Sequence, residues 1–244
     1  MDFSYIDRNL ARVRDELDAA ARSGGYDPAA VTLMAAIKSA TVEEINYLHR
    51  VLGVNAVGEN RVQQLLERYD KLDREGLSIH FIGSLQTNKV KYIIDKVDMI
   101  QSLDSERLAR EIERQAARIG RVMDVLLEIN SGGEAAKGGL LPEEVEAMAE
   151  RITGGEFPHL RLRGFMTMAP RCTEEEYHGY FAETRRQGAR LWAKLTAAGR
   201  VAGEMVLSMG MSESYRPAVA EGATLLRVGR GLFCKDDAPE TEIC

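Results

Sequence analysis

The chain has 244 residues, 45% of them apolar and 29% charged, and a formal net charge of -6. This is an ordinary globular balance, and its acidic excess argues against bulk binding of nucleic acid, which takes a basic face. No stretch reaches the roughly 18 apolar residues of a membrane span, and the N-terminal MDFSYIDRNLARVRDEL lacks the apolar core of a secretion signal.

In chain order, Ile6, Leu10, Val13 and Leu17 fall at helical spacing and predict a helix over 3–23, stopped by Gly24 and Gly25. VTLMAAIK (31–38) reads as a strand, and Thr41 caps the helix after it. VNAVGE (54–59) is a second strand, followed by a helix over 61–74. IHFIGS (79–84) is a third, with a short helix over 89–94, and VDMIQS (97–102) a fourth, with a long helix over 105–119. VMDVLLEIN (122–130) is the fifth, and Pro142 suits the first turn of its helix. LRLRGFMTM (160–168) is the sixth, with a helix over 173–198. EMVLSMG (204–210) is the seventh, with a helix over 213–221, and TLLRVG (224–229) the eighth.

Eight strands alternating with helices predict the α/β class and a (β/α)8 TIM barrel, a fold that runs to about 250 residues as one domain. An open doubly wound sheet is the alternative. One domain over 1–244 is expected, with an extra N-terminal helix and no appended domain. Cys172, Cys234 and Cys244 form no CxxC and are an odd, sparse set. They fit a reducing compartment, so a cytoplasmic protein is expected.

In such a barrel function sits at the C-terminal strand ends. Strand one ends at Lys38. Period-two alternation puts Met34, Ala36 and Lys38 on one face, so the lysine would point into the mouth. There it is either a solvated strand-end lysine or a desolvated one, which loses its proton more easily and attacks an aldehyde. Strand two ends in Gly58-Glu59-Asn60, and strand five runs into a loop ending Lys137-Gly138-Gly139. Strand seven ends in Ser208-Met209-Gly210-Met211-Ser212 and strand eight in Arg227-Val228-Gly229-Arg230-Gly231. Loops at these two positions commonly hold a phosphate, and glycines let backbone N–H groups approach it; simple turn glycines and a capping Ser212 are the alternative. An inward Arg227 needs an acceptor: a ligand ring nitrogen, or a barrel carboxylate such as Glu59 or Glu128. His80 reads as a satisfied core histidine, and the four histidines show no metal-ligand spacing. Trp192 and the methionines of strands six and seven read as packing.

The strings AAIKSATVEEI, VGENRVQQL, HFIGSLQTNKVK, EINSGGEAAKGG, GFMTMAP, LSMGMSESYRPAV and LLRVGRGLF occur in one order over 1–235. Together they resemble the pyridoxal-phosphate homeostasis protein family, which is similar to the barrel domain of alanine racemase. The resemblance implies an alanine-racemase-type barrel with pyridoxal 5'-phosphate held as a Schiff base on Lys38. It implies Asn60, Ser208, Arg227 and Gly229 at cofactor-contacting positions, and Met166 and Gly210 are counted with them. It further implies a carrier or regulator of vitamin B6 and amino-acid metabolism without turnover. On this reading there is no catalytic residue and no metal. The partners are the cofactor and the apo-enzymes that accept it, and a monomer is expected. Two segments depart from the family's usual form: AAIKSA, where a serine before the lysine and a threonine after it are more usual, and GRGLFC, with Arg230 and Cys234, where small residues before the phenylalanine and a final glycine are usual.

Two other functions are open. An amino-acid racemase or decarboxylase would use the same Lys38, and a phosphate-binding barrel of unrelated metabolism would use none of it. Racemisation needs a second acid–base group facing Lys38 across the cofactor, and the sequence shows no evident one.

Overall fold

A computed structural model of the chain describes residues 1–130 and 138–235. Lys137 and Cys244 lie outside the described residues. The eight strands are β1 (Thr32–Ala36), β2 (Ala56–Glu59), β3 (Ser78–Phe81), β4 (Met99–Leu103), β5 (Met123–Ile129), β6 (Leu160–Thr167), β7 (Val206–Met211) and β8 (Leu225–Val228). They form a closed parallel barrel in the order β1 to β8. Closure comes from pairing of the first strand with the last, Thr32 opposite Leu225 and Met34 opposite Arg227. The open-sheet alternative is thereby excluded.

Alternation builds two cores. Outward residues such as Ala35, Ile37, Val57, Phe81, Leu127 and Phe165 join the large apolar layer under the helices. Inward residues fill the barrel in two small clusters, Met34, Ala56, Ile82 and Leu225 in one and Met99, Leu126 and Met166 in the other. The barrel is therefore packed, and its polar interior groups gather above and between these clusters.

The helices are α1 (Ser4–Ser23), α2 (Val42–Arg50), α3 (Val62–Arg68), α4 (Val90–Ile93), α5 (Glu106–Arg118), α6 (Pro142–Thr153), α7 (Glu174–Ala197), α8 (Tyr215–Ala220) and α9 (Arg230–Phe233). Thr41 caps α2 as expected, in a reciprocal box with Glu44. Pro142 opens α6 and Thr173 caps α7. Two expectations need correction. The helix placed over 61–74 stops at Arg68, because Asn46 of α2 takes the following turn, donating to the Lys71 carbonyl and accepting from Asp73 N–H. Ser212 does not cap the helix after strand seven, which begins at Tyr215.

α1 precedes the barrel and lies across α8 and α9. Tyr5, Ile6, Leu10, Val13, Leu17 and Ala21 form its buried face. Polar ties fasten it: Tyr5 donates to Glu44, Tyr215 to Glu16, and Tyr47 to Asp7. Asn9 Nδ2 donates to the carbonyls of Leu232 (3.1 Å) and Cys234 (2.8 Å).

Candidate functional site

Closure gathers the sequence-marked residues on a continuous arc of the C-terminal rim, from β7 through β8 and β1 to β2. β1 ends at Ala36, and the chain leaves the barrel at Lys38. Its backbone is held just before that point. Ile37 N–H donates to the Gly58 carbonyl at 3.0 Å, and the Ile37 carbonyl accepts from Arg68 Nη1 at 2.7 Å. Arg68 reaches this carbonyl from α3 while also pairing with Glu59 at 3.1 Å. The Lys38 side chain is exposed and makes no hydrogen bond or ion pair among the described residues. The desolvated lysine considered from the sequence is thus not realised by the protein alone, because the strand stops two residues short and opens the amine to water.

Next to it, Gly229 lies against β1. A Cβ at Gly229 would stand 3.0 Å from the Ala36 carbonyl oxygen, so the two backbones touch there. Gly229 N–H and Gly231 N–H both donate to Ser212 Oγ, each at 3.2 Å. Two backbone amides from the strand-eight loop converge on one oxygen supplied by the strand-seven loop. This is the donor set of a small anion cradle, and an anion oxygen could replace the hydroxyl. Gly210 lies in the irregular end of β7 with φ +92°, where a Cβ would fall 2.6 Å from that of Ala218. On the other side of Lys38, Asn60 is half-buried, its N–H and that of Arg61 donating to Glu59 Oε1 at 2.7 and 3.0 Å.

Beneath the rim a polar chain crosses the interior. Arg227 Nη1 donates to Ser208 Oγ at 2.6 Å and Nη2 to the Thr167 carbonyl at 2.8 Å. Ser208 donates to Gln101 Oε1 at 2.7 Å, and Gln101 Nε2 donates to His80 Nδ1 at 2.8 Å. The remaining ring nitrogen, His80 Nε2, then carries the proton and donates to Ser78 Oγ at 2.9 Å. Burial holds this imidazole neutral, lowering it to about 4. His80 is the satisfied core histidine expected, and the sequence offered no signal for Gln101, whose partners lie on other strands.

Burial also lowers Arg227, to about 10, with Glu128 acting in the opposite sense. It remains a cation at neutral pH. Neither carboxylate considered for it forms an ion pair with it: Glu59 faces outward to Arg68, and Glu128 affects Arg227 only through its field. Glu128 itself is buried, and burial first, then the charge of Asp104, pushes its carboxyl up to about 7. It stands on β5, four strands from β1 in either direction around the barrel. A titratable group therefore does stand on the wall opposite Lys38.

Met166 and Ser208 are fully buried, Met166 in the inner apolar cluster and Ser208 committed to Gln101 and Arg227. The rim thus combines an accessible amine, an anion cradle on the adjoining strand and an enclosed cation below, which fits a ligand bearing both an aldehyde and a phosphate. A cleft of about 690 Å³ opens at the opposite end of the barrel, lined by Thr32, Asn55, Ser78 and Leu225 among others. It has no lysine and no converging amides, so the C-terminal rim is the chemically equipped site.

Among known proteins, the alanine racemase, N-terminal domain family matches residues 5–236. The pyridoxal phosphate homeostasis protein of Aquifex aeolicus (strain VF5) is 38% identical over 225 residues, 92% of this chain and 95% of that protein. That of Escherichia coli (strain K12) is 36% identical over 235 residues, 93% and 95% of the two chains. The structure of PipY of Synechococcus elongatus PCC7942 with PLP bound matches with a TM-score of 0.78 at 31% identity, covering 94% of this chain and 100% of that one. Alanine racemase of Clostridium difficile 630 matches with a TM-score of 0.67 at 19% identity, over 97% of this chain and 59% of its own, and shares the fold.

Proposed function

Because the chain belongs to the pyridoxal phosphate homeostasis protein family, within the alanine racemase N-terminal domain family, we propose that it binds pyridoxal 5'-phosphate at the C-terminal rim and holds it for release rather than for turnover. The observation that carries this reading is the juxtaposition of Lys38 with the Gly229–Gly231 amides on hydrogen-bonded neighbouring strands. When bound, the cofactor would supply an aldehyde to an amine and an electron-withdrawing ring. Lys38 would bind the aldehyde as a Schiff base. Gly229 and Gly231 N–H, with Ser212 turning its hydroxyl outward, would bind the phosphate. Gly210 shapes that loop, and Asn60 would border the ring on the β2 side. Arg227, fixed by Ser208 and Thr167, would present a permanent cation to the ring, with Met166 packed below.

Exposure of Lys38 suits this role. An amine open to water admits a carbonyl compound and lets it be replaced by a competing amine or by water. Release to apo-enzymes of vitamin B6-dependent metabolism is the corresponding partner reading.

The test is absorption spectroscopy of the purified protein with pyridoxal phosphate, before and after borohydride, followed by peptide mass mapping. The adduct is expected on Lys38, and Lys38→Ala should lose it while keeping the wild-type circular dichroism. An adduct mainly on Lys89 would overturn the assignment.

A further inference from the structure

Among the described residues, Glu128 is a buried titratable group at the mouth that has no part in the proposed binding of the cofactor. Its carboxyl faces the barrel interior. Leu126, two residues earlier, belongs to the inner cluster, while Val125, Leu127 and Ile129 belong to the outer core. It is 5% exposed, and among the described residues its carboxyl makes no hydrogen bond and no ion pair. Burial in that setting works against the ionised carboxylate. A neutral acid is tolerated better, yet it leaves an O–H donor without an acceptor. With no protein partner among the described residues, the carboxyl is open to a ligand that enters the mouth.

The charges around it define what that is. Asp104, from the end of β4, opposes ionisation of Glu128, and Arg227, from β8, favours it. Lys38 stands exposed on the opposite wall. From β6 the neighbours are Met166 and Thr167, which carry no charge, and His80 on β3 is neutral. Arg227 is enclosed with two neutral acceptors, the Ser208 hydroxyl and the Thr167 carbonyl, and among the described residues no carboxylate is bound to it. A ligand that carries negative charge into the mouth supplies that balance through its field. It also adds negative charge near Glu128, which raises the cost of ionising the carboxyl still further.

We propose that Glu128 is a ligand-binding residue that engages the ligand in its protonated form, donating its O–H to a ligand oxygen, so that capture of the anionic ligand takes up a proton. The ligand's identity rests on the pyridoxal phosphate reading. The acid–base linkage rests on the placement of Glu128 between Asp104 and Arg227. No covalent bond changes at Glu128: one proton enters from solvent on binding and returns on release. Binding is consequently tightest where the carboxyl is already protonated. It weakens as pH rises above the point at which the free protein loses that proton, by up to about tenfold per pH unit.

The experiment is calorimetric titration with pyridoxal phosphate at about pH 7.5, in two buffers of different ionisation enthalpy, on the wild type and on Glu128→Gln. Subtracting the variant removes the protons exchanged by Lys38 and by the ligand itself. The wild type should take up more protons per ligand than the variant, by up to about one, and its affinity should fall more steeply with pH. Equal proton counts and equal pH slopes would overturn the proposal alone. Absence of saturable binding by both proteins would overturn the pyridoxal phosphate reading and this proposal with it. Difference infrared spectra of the wild type at the same pH need no variant: a protonated carboxyl band that gains intensity on binding is expected, and its loss on binding would overturn the proposal.

Discussion

Arg227, Ser208, Gln101 and His80 form a chain in which each donor meets one acceptor, and its order fixes their protonation and orientation. Gln101 can donate to His80 only while Nδ1 is unprotonated, and its amide then turns Oε1 toward Ser208. Ser208→Ala removes the acceptor of Arg227 Nη1 and the donor to Gln101 Oε1, leaving two buried groups unmatched. A loss of about 1–3 kcal/mol in urea unfolding is expected. Its unchanged stability would show that water takes over both bonds. Glu128 gives a pH-dependent case. Its folded carboxyl lies near 7 against the usual 4.5, so the unfolded chain ionises first. Stability therefore falls as pH rises from about 4.5 to about 7 and is level above that. Glu128→Gln should stabilise the ligand-free protein at about pH 8 by something on the order of 3 kcal/mol, and much less at about pH 5. Urea midpoints of both proteins at the two pH values check this. The inward direction of Arg227 could be read from period-two alternation, since each strand has two faces. The partners could not, because Ser208 meets Gln101 across 107 positions of sequence and nothing local encodes that meeting.

At the scale of elements, α1 works as a clamp on the strand-eight loop that we propose holds the phosphate. α9 is four residues long, too short to hold its own shape. Its C-terminal carbonyls instead receive Asn9 Nδ2, and the Gly231 carbonyl receives Arg12 Nη2 at 3.2 Å. Asn9→Ala deletes two of these three bonds without touching the ligand. A destabilisation of about 1–2 kcal/mol is expected, with a matching weakening of phosphate-bearing ligands and little change for pyridoxal, which lacks the phosphate. Parallel titrations with the two compounds check the distinction, and an equal loss for both would assign Asn9 a general structural role. The eight strands and the helices α1 to α8 were legible, because apolar strands and amphipathic helices carry different periods. Element ends were less so. β1 stops at Ala36 because Arg68 and Gly58 redirect the chain at Ile37, and α9 was not foreseen because four residues carry no period.

For the whole molecule, the decisive event is the meeting of β1 and β8, which sets Ala36, two residues before Lys38, against Gly229 and places Glu128 on the far wall. Eight strands in the sequence implied this closure, and with it the arc of rim residues; it did not reveal the opposite carboxyl as an acid–base group, because its properties come from burial and from Asp104. That carboxyl makes turnover a question for experiment, and the cation decides our expectation. Arg227 is lowered only to about 10, so it keeps its proton at neutral pH. A ring nitrogen accepting from it stays unprotonated, and an unprotonated ring draws electrons weakly from a bound amino acid. The exposed Lys38 further leaves the reacting centre in water, where charge stabilisation is weak. Glu128 can hold or release a proton, but it cannot supply the missing electron withdrawal. We therefore expect alanine, serine, ornithine and lysine to be neither racemised nor decarboxylated at an enzyme-like rate of about 1 s⁻¹ or faster, while the same amines displace the cofactor from Lys38. Chiral chromatography, carbon dioxide release and the loss of protein-bound absorbance, followed on one set of samples, separate the two outcomes. Rapid chirality loss that Glu128→Gln abolishes would make the protein a racemase and Glu128 its second base.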